Sequence, residues 1–205
     1  MKIERVERSR TLLHQGFLKV LEFVSSLKVT RGDEEHDFDV VREVCIVGGS
    51  VAGILVDVAN KRVLVIRQYR EPVTQYMDYG RPGIIDEAVA GMVDENEDGD
   101  AAFIREMKEE TGVVLHEHDI KDSFRYFPSP GYSSECTEVF LAETSSNTVI
   151  PEVLSGGLPL EGEIIEPLWL TFAEIRDLWR SNELRDGKLL LALWEAGVLT
   201  KERSQ

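Results

Sequence analysis

The sequence predicts a mixed α/β (α+β) fold, and three observations carry that expectation. Short β-branched and aromatic runs bounded by turn residues recur at Phe17 to Val47, Val51 to Val58, Arg62 to Tyr69, Thr137 to Glu143 and Ile164 to Leu170. Helical spacing of apolar residues appears instead over residues 101–111, 172–179 and 188–196. A chain of 205 residues with 42% apolar content can bury a normal core as one domain, or one domain with a small appendage.

The elements follow in order. Phe17, Val20, Leu21, Phe23 and Val24 lead to a turn at Arg31-Gly32-Asp33 and a second run from Phe38 to Val47, a β-hairpin module ahead of the main domain. Gly48-Gly49-Ser50 punctuates, so residues 1–48 read as an N-terminal β subdomain and residues 49–205 as the main domain. Asn60-Lys61 joins the next strand pair, and Gly80-Arg81-Pro82-Gly83 forms a loop. Asp100 is the expected N-cap of the first helix, with Phe103, Ile104, Met107 and Thr111 on its core arc and Gly112 as its left-handed stop. Val113 to Leu115 and Phe124 to Phe127 read as short extended pieces, and residues 144–163 as mostly loop. The last helix is ended by Gly197. There is no internal repeat and no low-complexity tract.

Composition excludes several classes of function. The 38 acidic and 23 basic residues give a net charge of −15, which argues against general nucleic-acid binding and against attachment to an anionic membrane. No apolar run reaches the roughly 18 residues of a membrane span, and the N-terminus lacks a secretory signature. Cys45 and Cys136 form no metal motif and are expected as free thiols in a reducing cytosol, so the expected location is cytoplasmic. His116 and His118, two apart, could share a strand face, but no further His or Cys nearby supports a zinc site.

One stretch stands out. Glu106, Glu109 and Glu110 place three carboxylates within about one helical turn, all pointing the same way. Like charges at this spacing weaken a helix, and a divalent cation would account for them. Hard oxygen ligands suit magnesium or manganese better than zinc. Ala90-Gly91 lies in an extended or turning segment that can bring backbone carbonyls near the acidic face.

The full pattern runs Gly91, five residues, Glu97, seven residues, Arg105-Glu106, Met107, one residue, Glu109-Glu110, one residue, Gly112-Val113. It resembles the Nudix box at every fixed position. The resemblance implies a hydrolase that splits a diphosphate linkage with a divalent metal, Mg²⁺ with Mn²⁺ as a possible substitute. It also implies an α/β/α sandwich with a mixed β-sheet, the box forming loop, helix and loop. Four further segments are similar to the ADP-ribose and nucleotide-sugar pyrophosphatase branch: Arg67-Gln68-Tyr69-Arg70, Glu87-Ala88-Val89-Ala90-Gly91, Ser129-Pro130-Gly131 with Glu135, and the acidic stretch Gly157 to Glu166. Val89 departs from the proline that many members carry. The tail Glu183 to Lys188 is similar to the end of GDP-mannose-type members.

The resemblance assigns roles. Glu106, Glu110, the Ala90 carbonyl and Glu163 are expected metal ligands. Glu109 ligates or holds a metal-bound water, and Arg105, four residues before it, can orient its carboxylate. The base is Glu161 or Glu163, with Glu161 preferred. Arg70 and Arg81 are candidates for phosphate or sugar contacts through forked hydrogen bonds, and Ser133 and Glu135 for sugar contacts. Tyr69 and Tyr76 read as packing residues. A homodimer is implied, its N-terminal strands packing across the pair and helping to hold the nucleoside. The expected reaction is hydrolysis of ADP-ribose to AMP and ribose 5-phosphate. A nucleoside-diphosphate-sugar hydrolase of GDP-mannose or UDP-glucose type is the alternative, and a non-catalytic ligand-binding module a minor one.

Overall fold

The computed structural model describes residues 1–75, 83–157 and 164–200. The chain divides into two compact units, residues 1–49 with 127–136, and residues 50–126 with 137–205.

The first unit is built on a three-stranded antiparallel sheet in the order β1 (Lys2–Gln15), β2 (Lys19–Arg31), β3 (Glu34–Ile46). The anticipated hairpin is β2 and β3, turning at Gly32, which takes φ +61°. β1 is an addition to it. It pairs with β2 from Lys2↔Thr30 to Gln15↔Lys19, with irregularities near Ser9 and His14. All but one of its residues are exposed, so neither face needs an apolar set and the alternating pattern that betrays a strand is missing. Local charge pairing replaces it: Lys2 with Glu4, and Arg5 and Arg10 with Glu7. The Arg5 and Arg10 guanidinium carbons also lie 5.9 and 5.8 Å from the centre of the Phe23 ring. Phe17 belongs to no strand and is fully exposed. Residues 127–136 join this unit through Cys45, whose N–H donates to the Tyr132 carbonyl at 2.8 Å and whose carbonyl accepts from Ser134 N–H at 3.0 Å.

The second unit is a seven-stranded sheet between helices, with, among the described residues, a short α1 (Glu71–Thr74) besides the three longer ones. Its main path is β10 (Ile165–Thr171), β5 (Arg62–Tyr69), β4 (Gly49–Asp57), β9 (Cys136–Glu143), β8 (Ile120–Tyr126). β6 (Ile84–Glu87) adds to β5 and β7 (Val89–Met92) to β4. β4 and β5 read as near-continuous apolar runs because both faces are covered. Val51, Leu55, Leu64 and Ile66 pack with Phe103 and Met107 of α2 (Gly99–Thr111). Ala52, Ile54, Val63 and Val65 face the other way, with Ile175 of α3 (Phe172–Arg180) and Leu189 and Leu193 of α4 (Gly187–Glu195). The Phe103 and Phe140 rings stack at 5.1 Å in the first of these layers. Thr171 caps α3 in a capping box with Glu174.

Two local readings find their places in the fold. His116 caps a single 3₁₀ turn at Glu117–Asp119 and His118 lies within it, and their rings stack at 5.5 Å. The turn forms because buried Asp119 accepts the His116 N–H, which holds the segment off any strand. Tyr69 is 45% exposed, lays its ring against Gly83 and donates its hydroxyl to Glu71 at 2.5 Å. Tyr76 lies outside the described residues. Cys45 and Cys136 are free.

The feature that positions the site is a splayed hairpin. β4 and β5 pair directly only from Leu55↔Leu64 to Asp57↔Arg62. Beyond that they part, and β6 and β7 fill the opening: Ile66 faces Glu87 on one side, and Gly53 faces Val89 on the other. The chain changes partner strands at Ala88, which belongs to neither ladder.

Candidate active site

α2 begins at Asp98, whose carboxylate accepts the Ala101 N–H at 2.9 Å. This corrects the expected cap at Asp100, which sits inside the first turn. Both aspartates are good caps; Asp98 takes the role because Gly99 already carries helical geometry. Burial, and then the charges of Asp98, Glu138 and Glu117, push the Asp100 carboxyl up. At the far end Gly112 adopts φ +76° and donates to the Lys108 carbonyl at 2.9 Å.

The helix turns Ala102, Phe103, Met107 and Thr111 to the core, and Glu110 with them. Glu110 is 5% exposed and accepts the Ala90 N–H at 3.0 Å. The Glu106 carboxylate lies against Gly91, so closely that a Cβ at that position would overlap it. Two carboxylates one turn apart on α2 therefore converge on one dipeptide of β7.

Arg105 organises the rest. Its guanidinium donates to both oxygens of Glu97 at 3.0 and 2.9 Å, to Glu106 at 2.7 Å, to Glu109 at 3.0 Å and to the Met92 carbonyl at 2.9 Å. Its hydrogen bond to Glu97, and then those to Glu106 and Glu109, raise its pKa beyond an already permanent charge, while burial opposes them. In turn Arg105 holds the Glu97 carboxyl below the usual carboxylate range. Glu97 also accepts the Asp94 N–H at 3.1 Å, so it fastens the loop before α2 to the helix. Glu109 is the most open of the three clustered glutamates, its side chain 41% exposed against 13% for Glu106, with Glu110 buried.

The donor set suits a hard divalent cation. Glu106 and Glu110 flank Ala90-Gly91, where the absence of a side chain at Gly91 leaves the Glu106 carboxylate its place. Among the described residues no three His, Cys, Asp or Glu side chains form a complete metal centre by themselves. Glu163, the expected fourth ligand, lies outside the described residues, as do Glu161 and Arg81. The chain on either side of Glu161 and Glu163 is anchored at α2. Gly157 N–H donates to the Glu109 carbonyl at 3.2 Å, and Gly156 bridges to Ile165 while lying against the Glu110 backbone.

Arg70 extends the charged row. It donates to Glu87 at 2.8 Å through one terminal nitrogen and at 3.2 Å through Nε, while 42% of its side chain stays exposed. Burial works against its charge, but Glu87, Glu110 and Asp186 together raise its pKa. Glu87 is 5% exposed, a buried carboxylate to which sequence reasoning gave no role. Its position in the apolar stretch Ile84 to Ala90 was the available signal. Ser133 and Glu135 belong to the first unit, where Ser133 Oγ accepts the Glu135 N–H at 3.1 Å. A cavity of about 860 Å³ runs along α2, lined by Ala101, Ile104, Arg105, Lys108, Glu109 and Val114 among others.

Comparison with known proteins places these residues in context. The NUDIX domain family matches residues 48–191. The GDP-mannose pyrophosphatase of Escherichia coli (strain K12) is 32% identical over 152 residues, 74% of this chain and 75% of that protein. The GDP-mannose pyrophosphatase of Salmonella choleraesuis (strain SC-B67) is 34% identical over the same shares. With the box residues gathered between α2 and β7 and the family matched over most of its length, this chain belongs to the Nudix family.

Proposed function

We propose that this chain is a Nudix hydrolase that cleaves the phosphoanhydride of a nucleoside diphosphate sugar, with a GDP-mannose-type substrate first. The observation that carries the reading is the convergence of Glu106 and Glu110 on Ala90-Gly91, braced by Arg105. The sequence alone put ADP-ribose ahead of nucleotide sugars. The relatives named GDP-mannose pyrophosphatase support putting nucleotide sugars first, with ADP-ribose as the second reading.

Glu106 and Glu110, with the Ala90 carbonyl and Glu163, are the proposed ligands of Mg²⁺, for which Mn²⁺ can substitute. When bound, the cation neutralises charge on the diphosphate and makes water a stronger nucleophile. The chain's own residues do the rest. Arg105 holds Glu106 and Glu109 in place, so their repulsion does not unwind the helix. Arg70, fixed by Glu87 yet partly exposed, presents guanidinium N–H groups to phosphate oxygens; Arg81 is the second such candidate. Glu161 takes the proton of the attacking water, with Glu163 the alternative base. Ser133 and Glu135 contact the sugar. A homodimer completes the site through the first unit's strands. The products are a nucleoside monophosphate and a sugar phosphate.

Steady-state kinetics with Mg²⁺ on GDP-mannose, UDP-glucose and ADP-ribose test the substrate order. GDP-mannose is expected to give the highest kcat/KM. An ADP-ribose value tenfold above both sugars would overturn the order and leave the hydrolase reading in place.

A further inference from the structure

Ala88 is the residue at which the chain leaves the β5 ladder for the β4 ladder, and it is fully buried. Its N–H has no strand to bond, and a buried N–H without a partner is costly. The partner comes from a distant part of the sequence: Asp186 Oδ2 accepts it at 3.2 Å. The same carboxylate is the N-cap of α4, accepting Leu189 N–H at 3.0 Å and Lys188 N–H at 3.3 Å, and it takes the Lys188 ammonium at 2.9 Å. Asp186 is 7% exposed, so these contacts are made away from bulk water. One residue before Ala88, Glu87 holds Arg70; two residues after it, Ala90 N–H meets Glu110.

We propose that Asp186 is a positioning residue for the cation site: it fixes the crossing point of the splayed hairpin and thereby the place of Ala90-Gly91 against Glu106 and Glu110. A helix cap alone needs only a short oxygen reaching back to the first turn. Asp186 does that and also reaches across to another strand system, which no capping requirement explains. The inference rests on the proposed cation site, and it extends the functional set to a part of the chain far from the box. Partners of ligand-bearing groups commonly change metal affinity or activity by about 10–100-fold when removed.

The test compares Asp186→Ser with Thr171→Ala in the full chain. Serine caps a helix well, but its oxygen sits one bond nearer the backbone and falls short of Ala88. Thr171→Ala removes the cap of α3 without touching the crossing point. Mn²⁺ binding, followed by electron paramagnetic resonance, and the separate kcat and KM for GDP-mannose are the readouts. Asp186→Ser is expected to weaken Mn²⁺ binding about tenfold and to lower kcat with little change in KM. Thr171→Ala is expected to lower the melting temperature and leave Mn²⁺ affinity as in the wild type. Asp186→Thr replaces the serine variant should that one not fold. Wild-type Mn²⁺ affinity in the Asp186 variant, or equal weakening by Thr171→Ala, would overturn the inference. A wild-type chain that binds Mn²⁺ but cleaves no nucleotide sugar would instead overturn the proposed substrate class, and the Mn²⁺ comparison would still decide the role of Asp186.

Discussion

Gly91 is a tightly constrained position of the site, because the Glu106 carboxylate occupies the space of its absent side chain. Gly91→Ala is expected to displace Glu106 and cut kcat by at least tenfold, while the melting temperature falls by only a few degrees. Kinetics paired with a thermal melt check it; wild-type activity in this variant would mean that Glu106 need not lie against β7. Asp57 gives a residue-scale prediction of a different kind. Burial alone would raise its carboxyl, but hydrogen bonds from the Asn60 side chain and backbone and from Arg62 outweigh it and hold the pKa below the ordinary 3.8. A group depressed in the folded state binds fewer protons there than when unfolded, so its contribution is present above 3.8 and is lost as pH falls through the lower folded value. Denaturant melts across that acid range are expected to show wild-type stability falling more steeply than that of Asp57→Asn.

At the scale of elements, the start of α2 separates two aspartates that look alike in sequence. Asp98→Ala should cost about 1 kcal/mol, since it frees the Ala101 N–H. Asp100→Ala should fall within about 0.5 kcal/mol of wild type or stabilise, because Asp100 caps nothing and sits among like charges. Equilibrium urea unfolding distinguishes them, and the reverse ranking would contradict the cap. The core strands were legible because two covered faces leave runs of Val, Ile and Leu whose boundaries are polar. β1 was not, because a strand wet on both faces carries no apolar alternation. The box carboxylates were legible from spacing alone. Glu87 and Asp186 were not: their partners, Arg70 and Ala88, lie 17 and 98 residues away, and only the tertiary fold brings them together.

At the scale of the whole molecule, the first unit exposes Ile3, Val6, Leu12, Leu13 and Phe17, the last of them completely. Apolar side chains exposed together on one small unit favour burial against another chain. The proposed homodimer is expected to appear in sedimentation equilibrium at twice the 23.2 kDa chain mass. A monomer at micromolar concentration, fully active on nucleotide sugar, would contradict a shared site. The family and the α/β class were readable from a 23-residue pattern and the order of strands and helices. Substrate choice was not, because the residues proposed for it, Ser133 and Glu135 among them, belong to types that carry no fixed chemistry of their own.

The central claim is that Glu106 and Glu110 form a cation site for phosphoanhydride hydrolysis. Its most direct measurement is GDP-mannose turnover as Mg²⁺ is titrated, with product nucleoside monophosphate and sugar phosphate followed by ³¹P NMR, in wild type, Glu106→Gln and Glu110→Gln. Loss of a cation's charge stabilisation is worth several kcal/mol, so the account expects metal-dependent turnover in the wild type and about a hundred- to a thousandfold lower kcat in each folded variant. Turnover that persists without divalent metal, or that survives in both variants, would contradict it.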